Sequence, residues 1–306
     1  MRHEYGKFLV ELGKRCQQLV VLEADLKEST QSVQFQESFP ARYFEMGVAE
    51  QNMVGIAAGM ALEGKIPFVH SFACFISMRS CEQVRTSVAY PNLNVKFVVT
   101  HAGISTGTAG TTHHAIEDIA IMRSIPNITV LAPADAQEMR QAVIAALRYK
   151  GPCYIRLSAI DAEDVFSKEY KFKIGKAALL HKGSDVTLVT TGTFASEGMS
   201  VARILLDRYK IRVRLLHMAS IKPIDTEALL RAAEETRKII TLEEHNIIGG
   251  LGSAVCEVVS GIGAAKVKRL GINDHFCDVG SMHCLLEGEG LTTEGIVEQV
   301  YKFIKK

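Results

Sequence analysis

The sequence predicts an α/β fold made of two units, each a mostly parallel sheet covered by helices, the second smaller than the first. Three observations lead there. Short apolar, β-rich runs alternate with longer segments of helical periodicity along nearly the whole chain, the pattern that yields parallel sheets covered on both faces. The strand-like runs end in polar or glycine residues, as strands do whose C-terminal ends border a crevice. One polar stretch without a period, residues 159–175, interrupts the alternation and reads as a linker. The chain has 306 residues, the length of about two ordinary domains. The predicted units are 1–165 and 175–306.

In chain order, "MRHEYGKFLVELGKRC" is amphipathic and basic but carries Glu4 and Glu11. Transit peptides are poor in acids, so this is the first helix of the fold. "LVVLEADL", "KFVVTHAG" and "ITVLAPA" read as buried strands. "GVAEQNMVGIAAGMALEG", "SMRSCEQVRTSVAY" and "DAQEMRQAVIAALRYKG" read as helices, the last with Asp135 as cap and Gly151 as stop. "CYIRLS" closes the first unit. After the linker, "DVTLVTTG", "IRVRLLHM", "KIITLEEH" and "VKRLGI" are strands. "ASEGMSVARILLDRY", "DTEALLRAAEET", "GLGSAVCEVVSGI" and "TTEGIVEQVYKFIKK" are helices between and after them.

Composition excludes several classes. Lys and Arg total 35 against 34 Asp and Glu, a net charge of +1, and no basic run with interleaved aromatics suggests nucleic acid. No apolar stretch reaches the roughly 18 residues of a membrane helix. Seven cysteines (Cys16, Cys74, Cys81, Cys153, Cys256, Cys277, Cys284) form no CxxC pair and no zinc spacing. Such a scattered, odd set fits reduced thiols in the cytoplasm.

Four segments could carry chemistry. "MGVAEQNMVGIAAGMALEGK", Met46 to Lys65, places Glu50 among apolar neighbours in a helix spaced for packing on several sides. A bare buried carboxylate costs several kcal/mol unless paired or protonated. Glu50 is either a solvated first-turn residue favoured by the helix dipole or an acid required in a dry place. "HAGISTGTAGTTHHAIEDIA" sets Thr111, Thr112, His113 and His114 after a strand that ends at His101, where they face a crevice or simply cap a loop. Phe72 and Phe75 in "HSFACFISMRSCEQVR" fit either a core or a cofactor platform. Gly249, Gly250 and Gly252 turn into a helix whose N-terminus suits an anion or serves packing alone. No phosphate-loop motif is present.

The order of the segments resembles the C-terminal part of transketolase. "ADLKEST", "RYFEMGVAEQNMVGIAAGMAL", "PFVHSFACF", "VVTHAGIS", "TTHHAIEDIAIMRSIPNITVLAPADAQE", "IKPID" and "EEHNIIGGLGSAV" carry the likeness, in register from Arg2 to about residue 300. The resemblance implies a pyrimidine-binding domain for thiamine diphosphate followed by a transketolase C-terminal domain. The family's GDG motif and its downstream Asn pair, which hold the diphosphate and a Mg2+ or similar divalent ion, do not occur in this chain. The resemblance therefore implies a split transketolase, a transferase of carbohydrate metabolism. A partner subunit would bring the missing diphosphate-binding domain in an α2β2 heterotetramer.

By the same resemblance, Glu50 hydrogen-bonds ring nitrogen N1′ of the cofactor's aminopyrimidine. Sharing a proton there favours the imino form, whose 4′ nitrogen deprotonates thiazolium C2. The cofactor then holds a two-carbon fragment as electron sink. A dry pocket raises a carboxyl pKa and strengthens proton sharing. Phe72 and Phe75 would line the pyrimidine pocket, with Phe75 the stacking ring. Asp25 would contact the cofactor and Ser29 the substrate phosphate region. His101 and His113 would contact the sugar, and Arg2 its phosphate.

Two departures stand out. Where many transketolases read G-E-D-G, this chain has Thr108 and Ala109, and Ala159 stands where they carry an arginine. Loss of polar groups from such a site changes discrimination by orders of magnitude, so the donor is expected to differ from the family's usual one. The alternatives are the β subunit of a 2-oxoacid dehydrogenase E1 component and a non-catalytic partner subunit.

Overall fold

The computed structural model describes residues 1–261, 263 and 265–305. Among the described residues, twelve strands form two sheets. They are β1 (Leu19–Glu23), β2 (Tyr43–Glu45), β3 (Ile66–Phe72), β4 (Lys96–Thr100), β5 (Thr129–Leu131), β6 (Cys153–Arg156), β7 (Ala178–His181), β8 (Val186–Thr190), β9 (Val213–His217), β10 (Ser220–Lys222), β11 (Lys238–Asn246) and β12 (Lys266–Ile272). The first sheet runs β10-β5-β6-β4-β3-β1-β2 and the second β12-β11-β8-β9-β7. All pairings are parallel except β10 with β5 and β7 with β9.

Parallel strands buried on both faces need continuous apolar runs, and β1 and β4 are buried at every position. One core packs the Glu50 helix and Ile119 against the sheet. The other packs the helices Arg2–Arg15 and Ala136–Arg148 on the opposite face. Asp135 caps the latter by accepting from the Glu138 N–H at 2.8 Å. That helix ends at Arg148, ahead of the expected stop at Gly151.

Three details depart from expectation. The first sheet does not end at "CYIRLS": its outer strand β10 comes from the second half, because the three-residue run Ser220–Lys222 pairs antiparallel with β5. The segment expected as one helix over "SMRSCEQVRTSVAY" is a short helix Cys81–Gln83 flanked by wider π turns, Phe75–Arg79 and Val84–Ala89. The helix Glu50–Leu62 is not packed on several sides. Met53, Val54, Ala57 and Ala58 face the core, while Gln51, Gly55, Gly59 and Leu62 stay exposed.

Residues 159–175 contain neither helix nor strand. Buried polar contacts also join the first unit to the second sheet. Glu138 Oε2 lies 2.9 Å from His217 Nε2, and Glu244 Oε1 accepts from the Ile104 N–H at 2.7 Å. Among the described residues, no helix is long and apolar enough to cross a membrane.

Candidate active site

β1, β3 and β4 lie side by side and parallel, so the residues just past their C-terminal ends share one edge, where parallel sheets bind ligands. Phe72 ends β3 and His101 follows β4. Their rings meet at 3.9 Å between centroids. The π turn after β3 carries Phe75, stacked on Phe72 at 5.7 Å. His113 meets both rings edge-on, at 6.2 and 5.4 Å. The Phe72 and Phe75 pattern, ambiguous between core and platform, thus resolves into a rim: Phe72 is buried and Phe75 half-buried.

His101 sits at φ 57° with Nδ1 2.8 Å from Thr100 Oγ1 and Nε2 3.5 Å from Arg2 Nη1. Burial, and then the Arg2 charge, lower its pKa to about 4. The ring is therefore neutral at ordinary pH; with Nε2 accepting from Arg2, its proton lies on Nδ1. Arg2 also donates from Nη1 to the Ser29 carbonyl at 3.2 Å. Its Nε is buried and without a partner. Ser29 thus enters the cluster through its backbone.

Glu50 occupies the first turn of its helix and is 1% exposed; it is not a solvated first-turn residue. Oε1 accepts from Arg79 Nη1 at 2.7 Å, and Oε2 is buried with no partner. The Arg79 guanidinium lies 4.1 Å over the Phe75 ring. Arg2, His101, Phe72, Phe75, Arg79 and Glu50 therefore form one continuous chain of contacts, with His113 against its middle. Asp25 does not join it. It is exposed at φ 59° just past β1, and its N–H donates to Glu45 Oε1 at 2.8 Å.

Sequence reasoning missed Arg79, whose place depends on a π turn that no 3.6-residue period predicts. It also missed Glu23, the last residue of β1. Glu23 accepts from Thr30 Oγ1 at 2.5 Å, Ser32 Oγ at 2.6 Å and the Ala24 N–H at 3.0 Å. Burial still pushes its carboxyl up to about 7. The acid that directly follows the apolar run in "LVVLEADL" was the available signal. The glycine turn proves to be a packing turn. Glu243 fills the helix N-terminus itself, accepting from the Leu251 and Gly252 N–H groups at 2.6 and 2.7 Å.

Residues 1–163 match the family "Transketolase, pyrimidine binding domain" and residues 175–296 match "Transketolase, C-terminal domain". The chain belongs to the transketolase family. It is 45% identical to a putative transketolase C-terminal section of Methanocaldococcus jannaschii, over all of this chain and 96% of that one. It is 40% identical to the 6-deoxy-6-sulfo-D-fructose transketolase subunit SqwH of a Clostridium species, over all of this chain and 95% of that one. A solved split-gene transketolase, described as an inactive β4 tetramer, superposes with a TM-score of 0.89 at 44% identity. That match covers 99% of this chain and 97% of the other. The transketolase site draws on thiamine diphosphate, and the unpaired Glu50 Oε2, linked to the Phe75 ring through Arg79, fits an aminopyrimidine: a hydrogen-bonding carboxyl near an aromatic face.

Proposed function

We propose that this chain is the C-terminal subunit of a split transketolase. With a partner subunit it transfers a two-carbon ketol unit from a ketose or ketose phosphate to an aldose. The observation that carries the proposal is Glu50, buried with one oxygen free, at the aromatic rim of the sheet edge. Thiamine diphosphate, when bound, supplies a ring nitrogen for that oxygen and an electron sink for the transferred carbons. Glu50 offers its unpaired Oε2 to that ring nitrogen. Phe75, backed by Phe72, offers the flat apolar face; Asp25, exposed just past β1 and outside that chain of contacts, meets the cofactor from the open side of the sheet edge. His101 and His113 orient sugar hydroxyls, and Arg2, with Ser29 beside it, directs its free Nε toward a substrate phosphate. Domain limits of 1–165 and 175–306 belong to the same reading.

The partner holds the diphosphate with Mg2+ or a similar ion, and two copies of each chain form an α2β2 assembly. Support comes from the relatives named as subunits or sections and from exposed Gly55, Gly59 and Leu62 on the Glu50 helix, where another chain can approach closely. A cytoplasmic setting is included, supported by seven free cysteines. Ala109, exposed at the end of the turn Gly107–Ala109, and Ala159, half-buried, support a donor other than xylulose 5-phosphate.

Calorimetry and a ketol-transfer assay test the proposal, with the chain alone and then with a partner carrying GDG and the Asn pair. The expected result is tight cofactor binding and turnover only for the pair. Turnover by the chain alone overturns it. So does a pair that decarboxylates pyruvate and acylates a lipoyl domain without ketol transfer.

A further inference from the structure

The loop after β12 turns back toward the end of the helix Met282–Gly288. There His275 Nε2 lies 2.7 Å from Glu289 Oε1, and Cys277 Sγ lies 3.8 Å from the same oxygen. One ligand-type atom from each of the three residues falls within 4.8 Å of the other two. The Glu289 side chain is 8% exposed, yet its second oxygen, Oε2, is buried and meets no donor. Cys277 is 4% exposed, and His275 opens the group to solvent. A buried carboxylate oxygen without a donor is unfavourable, and the described residues supply nothing to relieve it.

We infer that His275, Cys277 and Glu289 are the ligands of a transition-metal ion of the zinc class, in a site separate from the ketol-transfer residues. Imidazole, thiolate and carboxylate together select zinc or its neighbours over magnesium, which favours oxygen ligands. Zinc bonds of roughly 2.0–2.3 Å put tetrahedral ligand atoms about 3.3–3.8 Å apart, so the three atoms need only small shifts to close on one ion. Coordination releases the Cys277 thiol proton to solvent and leaves His275 neutral with its proton on Nδ1. One thiolate and one carboxylate then balance the dication, and water completes the fourth position. The cysteine spacing gave no hint, because the site takes one cysteine and adds a histidine before it and a glutamate beyond the next helix.

The site has a structural reach. The Cys277 carbonyl accepts from Thr111 Oγ1 at 3.0 Å. Gly280 and Val279 press so closely on Gly107 and Gly110 that a methyl group on either glycine would meet them at 2.7 and 3.0 Å. An ion held at Cys277 therefore braces the loop that carries His113.

Chelator-treated chain titrated with Co2+ and then Zn2+ tests the inference. The expected result is one ion per chain with a thiolate-to-cobalt charge-transfer band, displaced by Zn2+ and unaffected by excess Mg2+. Cys277→Ser abolishes the band. His275→Ala and Glu289→Gln weaken affinity by at least about tenfold, the scale for disturbing a metal site. Cys284→Ser leaves both unchanged. Absence of the band, or its survival in Cys277→Ser, overturns the assignment. Should Cys277→Ser fail to fold, His275→Ala alters only an exposed side chain, and undiminished affinity there overturns it equally.

Discussion

Arg79 and Glu50 are joined twice: directly, by a hydrogen bond from Nη1 to Oε1 at 2.7 Å, and through Phe75, over which the guanidinium lies at 4.1 Å. A planar group rich in donors thus rests against the ring and the carboxylate that the proposal assigns to a pyrimidine. With Arg79 45% exposed, the pair is expected to contribute about 1–2 kcal/mol, toward the low end for a charged hydrogen bond. Arg79→Met should lower the stability of the isolated chain by that amount. Adding Glu50→Gln should recover most of the loss, because an amide leaves no bare charge. Denaturant unfolding of the four proteins measures the coupling, and strictly additive losses would refute it.

Glu50→Gln in the reconstituted complex is expected to lower turnover about 100-fold or more, the scale for a positioned acid–base group. The substitution is nearly isosteric, so circular dichroism and assembly should be unchanged. Proton exchange at C2 of the bound cofactor is the direct measurement. Near-normal exchange in the variant would show Glu50 to be a structural residue of its helix.

Glu23 gives the chain a pH signature. Its carboxyl, ordinarily at 4.5, is raised to about 7 by burial. Between those values the folded chain holds a proton that the unfolded chain has released. The contribution of Glu23 is therefore present at low pH and lost as pH rises toward about 7. Glu23→Gln should gain on the parent across that window, by about 3 kcal/mol at most, and run parallel to it above. His70 and His101, lowered to about 4 by burial, act in the opposite direction but are shared by both proteins, so the difference isolates Glu23. Thermal melts of the pair at several pH values decide; a constant difference would contradict the assignment.

For the donor, the expected outcome is weak use of xylulose 5-phosphate. The absent carboxylate and guanidinium at positions 109 and 159 each remove a charged hydrogen bond worth roughly 1.5–3 kcal/mol. A panel of ketoses and ketose phosphates, assayed with the partner, ranks the donors. Ala109→Asp with Ala159→Arg should raise xylulose 5-phosphate activity and lower that on the preferred donor. A parent enzyme that already favours xylulose 5-phosphate by a wide margin would dismiss the idea. His114 is placed to substitute for a lost contact: its Nδ1 is buried without a partner, and Nε2 lies 3.3 Å from the Gly107 carbonyl.

The alternation of strands and helices was legible because buried parallel strands and amphipathic helices have different periods, and Asp135 announced its helix by a local hydrogen bond. Glu50 was conspicuous because one acid stood among apolar residues. Its partner Arg79 was not, since the pair spans two elements and a π turn sets its angle. Nor was the pairing of β10 with β5, in which three residues carry too little pattern to name a sheet. The group at His275, Cys277 and Glu289 depends on a loop doubling back, which spacing alone does not encode. Asp25 shows the converse: its position in the chain suggested a place in the cluster, and its left-handed backbone turns it to solvent.

The crossing of β10 into the first sheet has a consequence for cutting the gene. Residues 220–222 cover the outer edge of β5, and the Ala132 N–H donates to the Ala219 carbonyl at 2.7 Å. A fragment ending at residue 165 would present that edge bare and leave Glu138 without His217. Unpaired strand edges recruit other chains, so such a fragment should precipitate rather than persist as a monomer. The chain cannot be divided between its two sheets without exposing that edge.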